Sequence, residues 1–342
     1  MPPFAKLGGH LRAWTTPGQT WATDGATVKS LDVPGYLDLA GGKLSVFRHY
    51  FGSQDINGNG AAIADQVITA LNGRHSTYIE GYNEIAQSLS SGLAQYVTWT
   101  QQFVAEAHRL GYKVAGFSFS TGTPSVSDWQ YLRSVRFGGV DAVAMHCYWG
   151  NQGFTQNNAL RFEQLWQTGD PPIVVTECGR DAVEGGQAGW MANGLTAQQF
   201  VTELLQYDQA IAPLTYVQGA QVFTNGGCPD FCNFEIDALA SILWGGNTGC
   251  TDTACCQATY GPDWYYQNGQ CVYLAPAPSP GLSFVDVALG VFAGLAIGGS
   301  IYFISQQLAQ PTIGQKVVIY KDYRTIGADQ PVPPGYVIVE GR

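Results

Sequence analysis

The sequence predicts an α/β fold: a (β/α)8 TIM barrel, followed by a Cys-rich disulfide segment, a single transmembrane helix and a short tail. Three observations predict the barrel. Short apolar, β-branched runs recur through residues 1–225. Amphipathic stretches of helical period separate them. The clearest runs end at Tyr82, Ser118, His146 and Thr176, in steps of about 30 residues, the length of one βα unit. Strands alternating with helices imply a parallel sheet, and eight of them fit a closed barrel. An open doubly wound sheet is the rival. No G-x-G-x-x-G follows the first run, so that alternative lacks its phosphate site.

Taken in order, the strand candidates begin with two weaker runs, Leu7–Leu11 and Thr27–Leu31. Clearer ones follow at Leu44–Tyr50, Thr77–Tyr82, Lys113–Ser118, Ala142–Tyr148, Pro172–Thr176 and Tyr216–Phe223. Helical spacing of apolar residues marks Ala61–Leu71, Ala94–Leu110 and Ala197–Ile211. Gly73 and Gly111 follow two of these as helix stops. The barrel is expected over 1–227.

Residues 228–274 form the Cys-rich segment. Of 8 cysteines, it holds Cys228, Cys232, Cys250, Cys255, Cys256 and Cys271. No histidine and no C-x-x-C lies there, so zinc spacing is absent and disulfides are expected. The pairing is left open. Cys147 and Cys178 stand apart and are read as buried thiols rather than a bridge. Ala238–Leu243 is apolar enough to be the last barrel helix. A Pro-rich linker occupies 275–281, semi-rigid by its proline content. The transmembrane helix is expected over 282–305, where Val287 to Ile304 carries no charge and reaches the about 18 residues a span requires. Gly290, Gly294 and Gly298 repeat every four residues, a spacing that lets a second helix approach closely, from another copy or a membrane-protein partner. The tail 306–342 carries Lys316, Lys321, Arg324 and Arg342 against Asp322, Asp329 and Glu340. The positive-inside rule places it within and the N-terminal part outside, on a cell surface or virion membrane. No apolar signal-peptide core is visible near Met1.

Composition excludes several function classes. Aromatic residues make up 13% and charged residues 12%, opposite to the balance of a disordered chain. Sixteen Lys and Arg face 26 Asp and Glu, a net charge of −10 without a basic run, so nucleic acid is not an expected partner.

In a barrel the residues after each strand line the active face. The third strand brings Arg48, His49 and Tyr50 there. The fourth brings Glu80, Asn83 and Glu84, the sixth His146, Tyr148 and Trp149, and the seventh Glu177. Two carboxyl groups, an arginine, a histidine and aromatics thus converge on one rim. Hydrolysis of a glycosidic bond needs two carboxyl groups flanking it. The bland alternative is a salt bridge, for example Glu177 with Arg48 or Arg180.

Asn83-Glu84 ending the fourth strand and Glu177 ending the seventh resemble the clan A, or "4/7", retaining glycoside hydrolases, over roughly residues 5–225. The resemblance implies Glu84 as general acid/base, Glu177 as nucleophile and Asn83 on the sugar 2-hydroxyl. It implies Arg48 as the charge keeping Glu177 ionised, and His146 and Tyr148 beside the nucleophile. It implies a polysaccharide or envelope-glycan substrate, with no metal or organic cofactor. A non-catalytic glycan-binding or structural membrane protein on the same barrel is the alternative. The strand-eight tryptophan usual in that clan is absent, which leaves Phe223 or Asn225 to line the sugar site. Trp14, Trp149 and Trp190 fall in expected loops, where each either stacks on a sugar or packs the core; Trp149 is the preferred sugar contact. Arg180 either binds substrate or pairs with Asp181.

Overall fold

The computed structural model describes residues 4–85, 87–244, 257, 264–267 and 270–273. All lie in the compact unit Met1–Ala277. Eight strands alternate with eight helices: β1 (Leu7–Leu11), α1 (Thr16–Asp24), β2 (Thr27–Leu31), α2 (Gly35–Leu39), β3 (Leu44–Arg48), α3 (Gly60–Ala70), β4 (Tyr78–Glu80), α4 (Leu93–Arg109), β5 (Ala115–Phe119), α5 (Val126–Ser134), β6 (Ala142–Trp149), α6 (Phe162–Leu165), β7 (Ile173–Arg180), α7 (Ala197–Ile211), β8 (Val217–Asn225) and α8 (Asp237–Trp244). The sheet runs β4-β3-β2-β1-β8-β7-β6-β5, every pair parallel. A parallel bridge from Ile79 to Val114 closes β4 onto β5, with Ile79 N–H donating to Lys113 O at 2.9 Å. The expected (β/α)8 barrel is therefore present.

The strands are buried on both faces, as strands wrapped by helices must be. Each helix turns one apolar stripe to the barrel: α4 buries Leu93, Tyr96, Val97, Thr100, Phe103, Val104 and Ala107 at helical spacing. Local chemistry fixes the helix starts. Ser125 and Asp128 form a capping box on α5, and Thr196 and Gln199 form one on α7. Gly8 in β1 is sterically required: a Cβ there would lie 1.7 Å from Thr27 O on the neighbouring strand.

Inside the barrel, two zones are stacked. The lower one is apolar and small: Val46, Tyr78, Ala115, Ala142, Ala144 and Val174 pack together. Above it, toward the C-terminal strand ends, the interior turns polar, with His10, Lys29, Arg48, Glu80, His146 and Glu177 all buried. An apolar floor beneath a charged layer places all the chemistry at one mouth.

The run expected at Leu44–Tyr50 ends as a strand at Arg48, while the seventh strand continues past Thr176 to Arg180. Helix α8 extends the barrel beyond residue 227: Trp244 packs edge-on against Trp21 of α1, with ring centres 4.8 Å apart. Cys228 and Cys232 form a disulfide. Cys147 and Cys178 are buried free thiols. A two-stranded antiparallel hairpin, β9 (Trp264–Gln267) and β10 (Gln270–Tyr273), follows. Among the described residues no helix is long and apolar enough to cross a membrane. The expected span 282–305 with Gly290, Gly294 and Gly298, the linker 275–281, the tail 306–342, and Cys250, Cys255 and Cys256 lie outside the described residues.

Candidate active site

The site is built from strand register. Side chains alternate across a strand, so His146 and Tyr148 of β6 share the barrel interior while Cys147 and Trp149 face outward. Glu177 of β7 pairs in register with His146. On the other side, Arg48 of β3 is level with Glu80 of β4. Glu84 lies in the loop after β4, where its N–H donates to Ser118 O at 3.1 Å. Its φ of +50° is a left-handed conformation, costing about 1 kcal/mol for a non-glycine residue, and it turns the side chain back over the mouth.

His146 joins the two carboxylates. Its Nδ1 is 2.7 Å from Glu84 Oε1 and 3.4 Å from Glu177 Oε2. One proton closes the Nδ1–Glu84 Oε1 hydrogen bond, carried by Nδ1 when Glu84 is a carboxylate and by Glu84 when it is the acid. Two oxygens on one nitrogen at 2.7 and 3.4 Å are at most about 6.1 Å apart. That bound on the two facing oxygens is compatible with the about 5–5.5 Å separation of retaining pairs.

The two carboxyl groups sit in different surroundings. The Glu84 side chain is 41% exposed; that of Glu177 is 7% exposed. Glu177 Oε2 accepts from Tyr148 Oη at 2.8 Å. Its Oε1 lies 3.4 Å from both Lys29 Nζ and Arg48 Nη1, and 3.7 Å from His10 Nδ1. Burial works against ionisation, but the neighbouring basic groups of His146, Lys29, His10 and Arg48 more than offset it, so the carboxyl is held well below the usual carboxylate range. His10 itself is pushed well below 6.5, first by burial and then by Lys29. It is neutral at pH 7, so the standing cations are Lys29 and Arg48. The Tyr148 phenol is pushed up by burial and by the Glu177 charge, and stays a donor.

Arg48 Nη1 also donates to Asn83 Oδ1 at 2.5 Å. Gln54, from the β3–α3 loop, grips the Asn83 backbone on both sides, its Nε2 donating to Asn83 O at 3.1 Å and its Oε1 accepting from Asn83 N–H. With its oxygen occupied, Asn83 keeps its amide N–H donors for a ligand hydroxyl.

Of the residues the sequence singled out, Arg48, Asn83, Glu84, His146, Tyr148 and Glu177 meet at this mouth. Phe223 borders it, its ring 5.1 Å from His10 and 6.2 Å from Tyr148, but packed between Phe231 and Phe234. Two expectations need correction. Trp149 is 1% exposed; it lies outside the barrel wall against Phe154, Phe200 and Tyr207, with Nε1 donating to Glu203. Asn225 is fully buried. Its Oδ1 accepts from the Arg12 and Ala13 N–H groups and its Nδ2 donates to Thr15 and Asp237, so it clamps the β1–α1 loop. Arg180 pairs with Glu203 rather than Asp181. Trp190 is buried against Phe200, whereas Trp14 stays 53% exposed on the rim after β1, beside Tyr36.

Sequence reasoning missed Lys29 and His10, and placed Glu80 at the rim without a role. Lys29 Nζ is 2.9 Å from Glu80 Oε2, both fully buried, and Ser118 Oγ donates to Glu80 Oε1 at 2.9 Å. The missed signal was a lysine inside a short strand between two other apolar strands, where a charge must find partners.

No protein-family model matches the chain, and no curated protein matches it. Solved structures do. An endo-β-1,3-glucanase of GH128 subgroup I from Amycolatopsis mediterranei, in complex with laminaritriose, is 10% identical, with 68% of this chain and 92% of that one covered and a TM-score of 0.46. A GH39 β-xylosidase from Caulobacter crescentus is 13% identical over 65% and 62% of the two chains, with a TM-score of 0.43. An endo-1,4-β-mannanase from Eisenia fetida is 15% identical over 70% and 90%, with a TM-score of 0.43. These structural neighbours are glycoside hydrolases.

Proposed function

We propose that the protein is a membrane-anchored retaining glycoside hydrolase that cleaves a β-linked polysaccharide or cell-envelope glycan by double displacement. The observation that carries this is the pair Glu84 and Glu177 on one histidine nitrogen, one carboxyl exposed and the other buried among cations. Two carboxyl groups in contrasting environments are what an acid and a nucleophile need. Glu84, at the open side, protonates the leaving oxygen as Glu177 attacks the anomeric carbon, forming a glycosyl–enzyme ester. Glu84, now a carboxylate, takes a proton from water as that water displaces Glu177 and restores its charge. Tyr148 and Arg48 hold Glu177 in line, and Asn83 addresses the neighbouring hydroxyl. The anchoring half of the proposal is supported by the charge-free run Val287–Ile304.

The test is reducing-sugar release by the full chain from β-1,3- and β-1,4-glucans, mannans, xylans and peptidoglycan. Release from one class, reduced at least about a thousandfold in Glu177→Gln, is the expected result; loss of a catalytic group of this kind costs factors of that order. Release that survives Glu177→Gln, or none from any glycan by folded protein, overturns the proposal.

A further inference from the structure

Glu177 sits in a largely buried layer whose charges can be counted. His10 from β1, Lys29 from β2, Arg48 from β3 and Glu80 from β4 surround it below. Glu84 from the β4–α4 loop, His146 and Tyr148 from β6, and Asp181 just beyond β7 face it from above. Strand β5 contributes the Ser118 hydroxyl, and β8 the Phe223 ring. With His10 neutral, the buried floor of this layer holds two cations, Lys29 and Arg48, against two carboxylates, Glu80 and Glu177. The count balances only when Glu177 is ionised.

Lys29 is the member that couples the two carboxylates. Its Cα is level with Val46, one layer beneath Arg48, so its four-carbon stem climbs past the apolar floor. The ammonium ends 2.9 Å from Glu80 Oε2 and 3.4 Å from Glu177 Oε1, with no exposed surface. Glu80 is pinned from its other side by Ser118. It belongs to no step of the proposed reaction, and a buried carboxylate without such a purpose would be costly.

We propose that Lys29 is a positioning residue, held by Glu80 as its fixed counter-ion, that keeps the Glu177 carboxylate charged and aimed at the mouth of the barrel. Remove the ammonium and Arg48 is the one lysine or arginine left to Glu80 and Glu177, beside the His146 ring 3.4 Å from Glu177; two carboxylates around one such cation cannot both stay ionised as readily. The inference rests on Glu177 being the nucleophile, but its readout does not require turnover.

The experiment is carboxyl 13C NMR of the full chain in detergent, labelled at glutamate Cδ, with the Glu177 signal assigned by its loss in Glu177→Gln. In the wild type the signal stays that of a carboxylate down to the lowest pH at which the protein is folded. In Lys29→Met the Glu177 midpoint rises by at least about one unit, the lower end of what an adjacent opposite charge imposes, and Lys29→Arg restores most of it. Lys29→Gln, which keeps a hydrogen-bond donor for Glu80, is the variant to read if Lys29→Met does not fold; it too raises the midpoint, whereas Lys29→Met/Glu80→Gln, which leaves Arg48 to Glu177, raises it less. An unmoved Glu177 midpoint in a folded variant, with only thermal stability lowered, overturns the proposal and makes the pair purely structural. A raised midpoint in a chain that hydrolyses no glycan would sink the glycosidase reading and leave this one standing.

Discussion

At the residue scale, the mouth of the barrel is a problem in ion burial. Glu177 stays charged because Lys29, Arg48 and the His146 ring lie against it, and His10 stays neutral because it is buried, with Lys29 and Arg48 beside it. His10 thereby makes stability depend on pH. Unfolded, its imidazole takes a proton near pH 6.5; folded, its value lies well below that. The unfolded chain binds more protons in this window, so stability rises with pH there and is lost as pH falls below about 6.5. Glu80 and Glu177, whose carboxyls are held low, add a second loss only below about pH 4.3. Chemical denaturation between pH 7 and 5 should show a slope approaching about 1.4 kcal/mol per pH unit, flattened in His10→Gln; an equal slope in that variant would assign the effect elsewhere. Asp181 and Asp208, raised mainly by burial, act in the opposite direction and soften the acid loss. Much of this site was legible: Asn83, Glu84 and Glu177 stand at strand ends where carboxylates must have a purpose. Lys29 was not, because its partners come from β4 and β7, far away in sequence, and only its stem length lets it reach them. Trp149 was misplaced at the rim although alternation from His146 and Tyr148 turns it outward.

At the element scale, strands were read from β-branched runs, and this succeeded where side chains are apolar. It failed past Thr176, since Glu177, Cys178, Gly179 and Arg180 have no common character, yet β7 keeps pairing with β6 as far as Trp149 and Arg180. Backbone hydrogen bonding carries a strand beyond its pattern when the neighbour also continues. Helices start where caps permit. Thr196 is exposed and its side chain satisfies the Gln199 N–H, so Thr196→Ala isolates the cap. The substitution should cost about 1 kcal/mol of unfolding free energy, measured by urea denaturation, with glycan hydrolysis unchanged. No loss would mean the first turn of α7 is held by packing alone.

At the scale of the whole molecule, the barrel puts its small apolar residues low and its charges high, so that one end carries the chemistry and the outer helices only support it. Closure of β4 onto β5 makes the arrangement rigid enough to hold Glu84 and Glu177 on the same imidazole nitrogen. Alternating strands and helices made the barrel readable from the sequence; the interior could not be read, because which strand faces which charge depends on register across the closed sheet. The central claim is that these two carboxyl groups act by double displacement. The direct measurement is proton NMR of the anomeric signals during the first minutes of hydrolysis of whichever β-glycan the full chain cleaves. The account predicts that the β-anomer appears first and the α-anomer only later, by mutarotation. An α-anomer formed first would mean inversion, and would contradict the reading of Glu177 as the nucleophile.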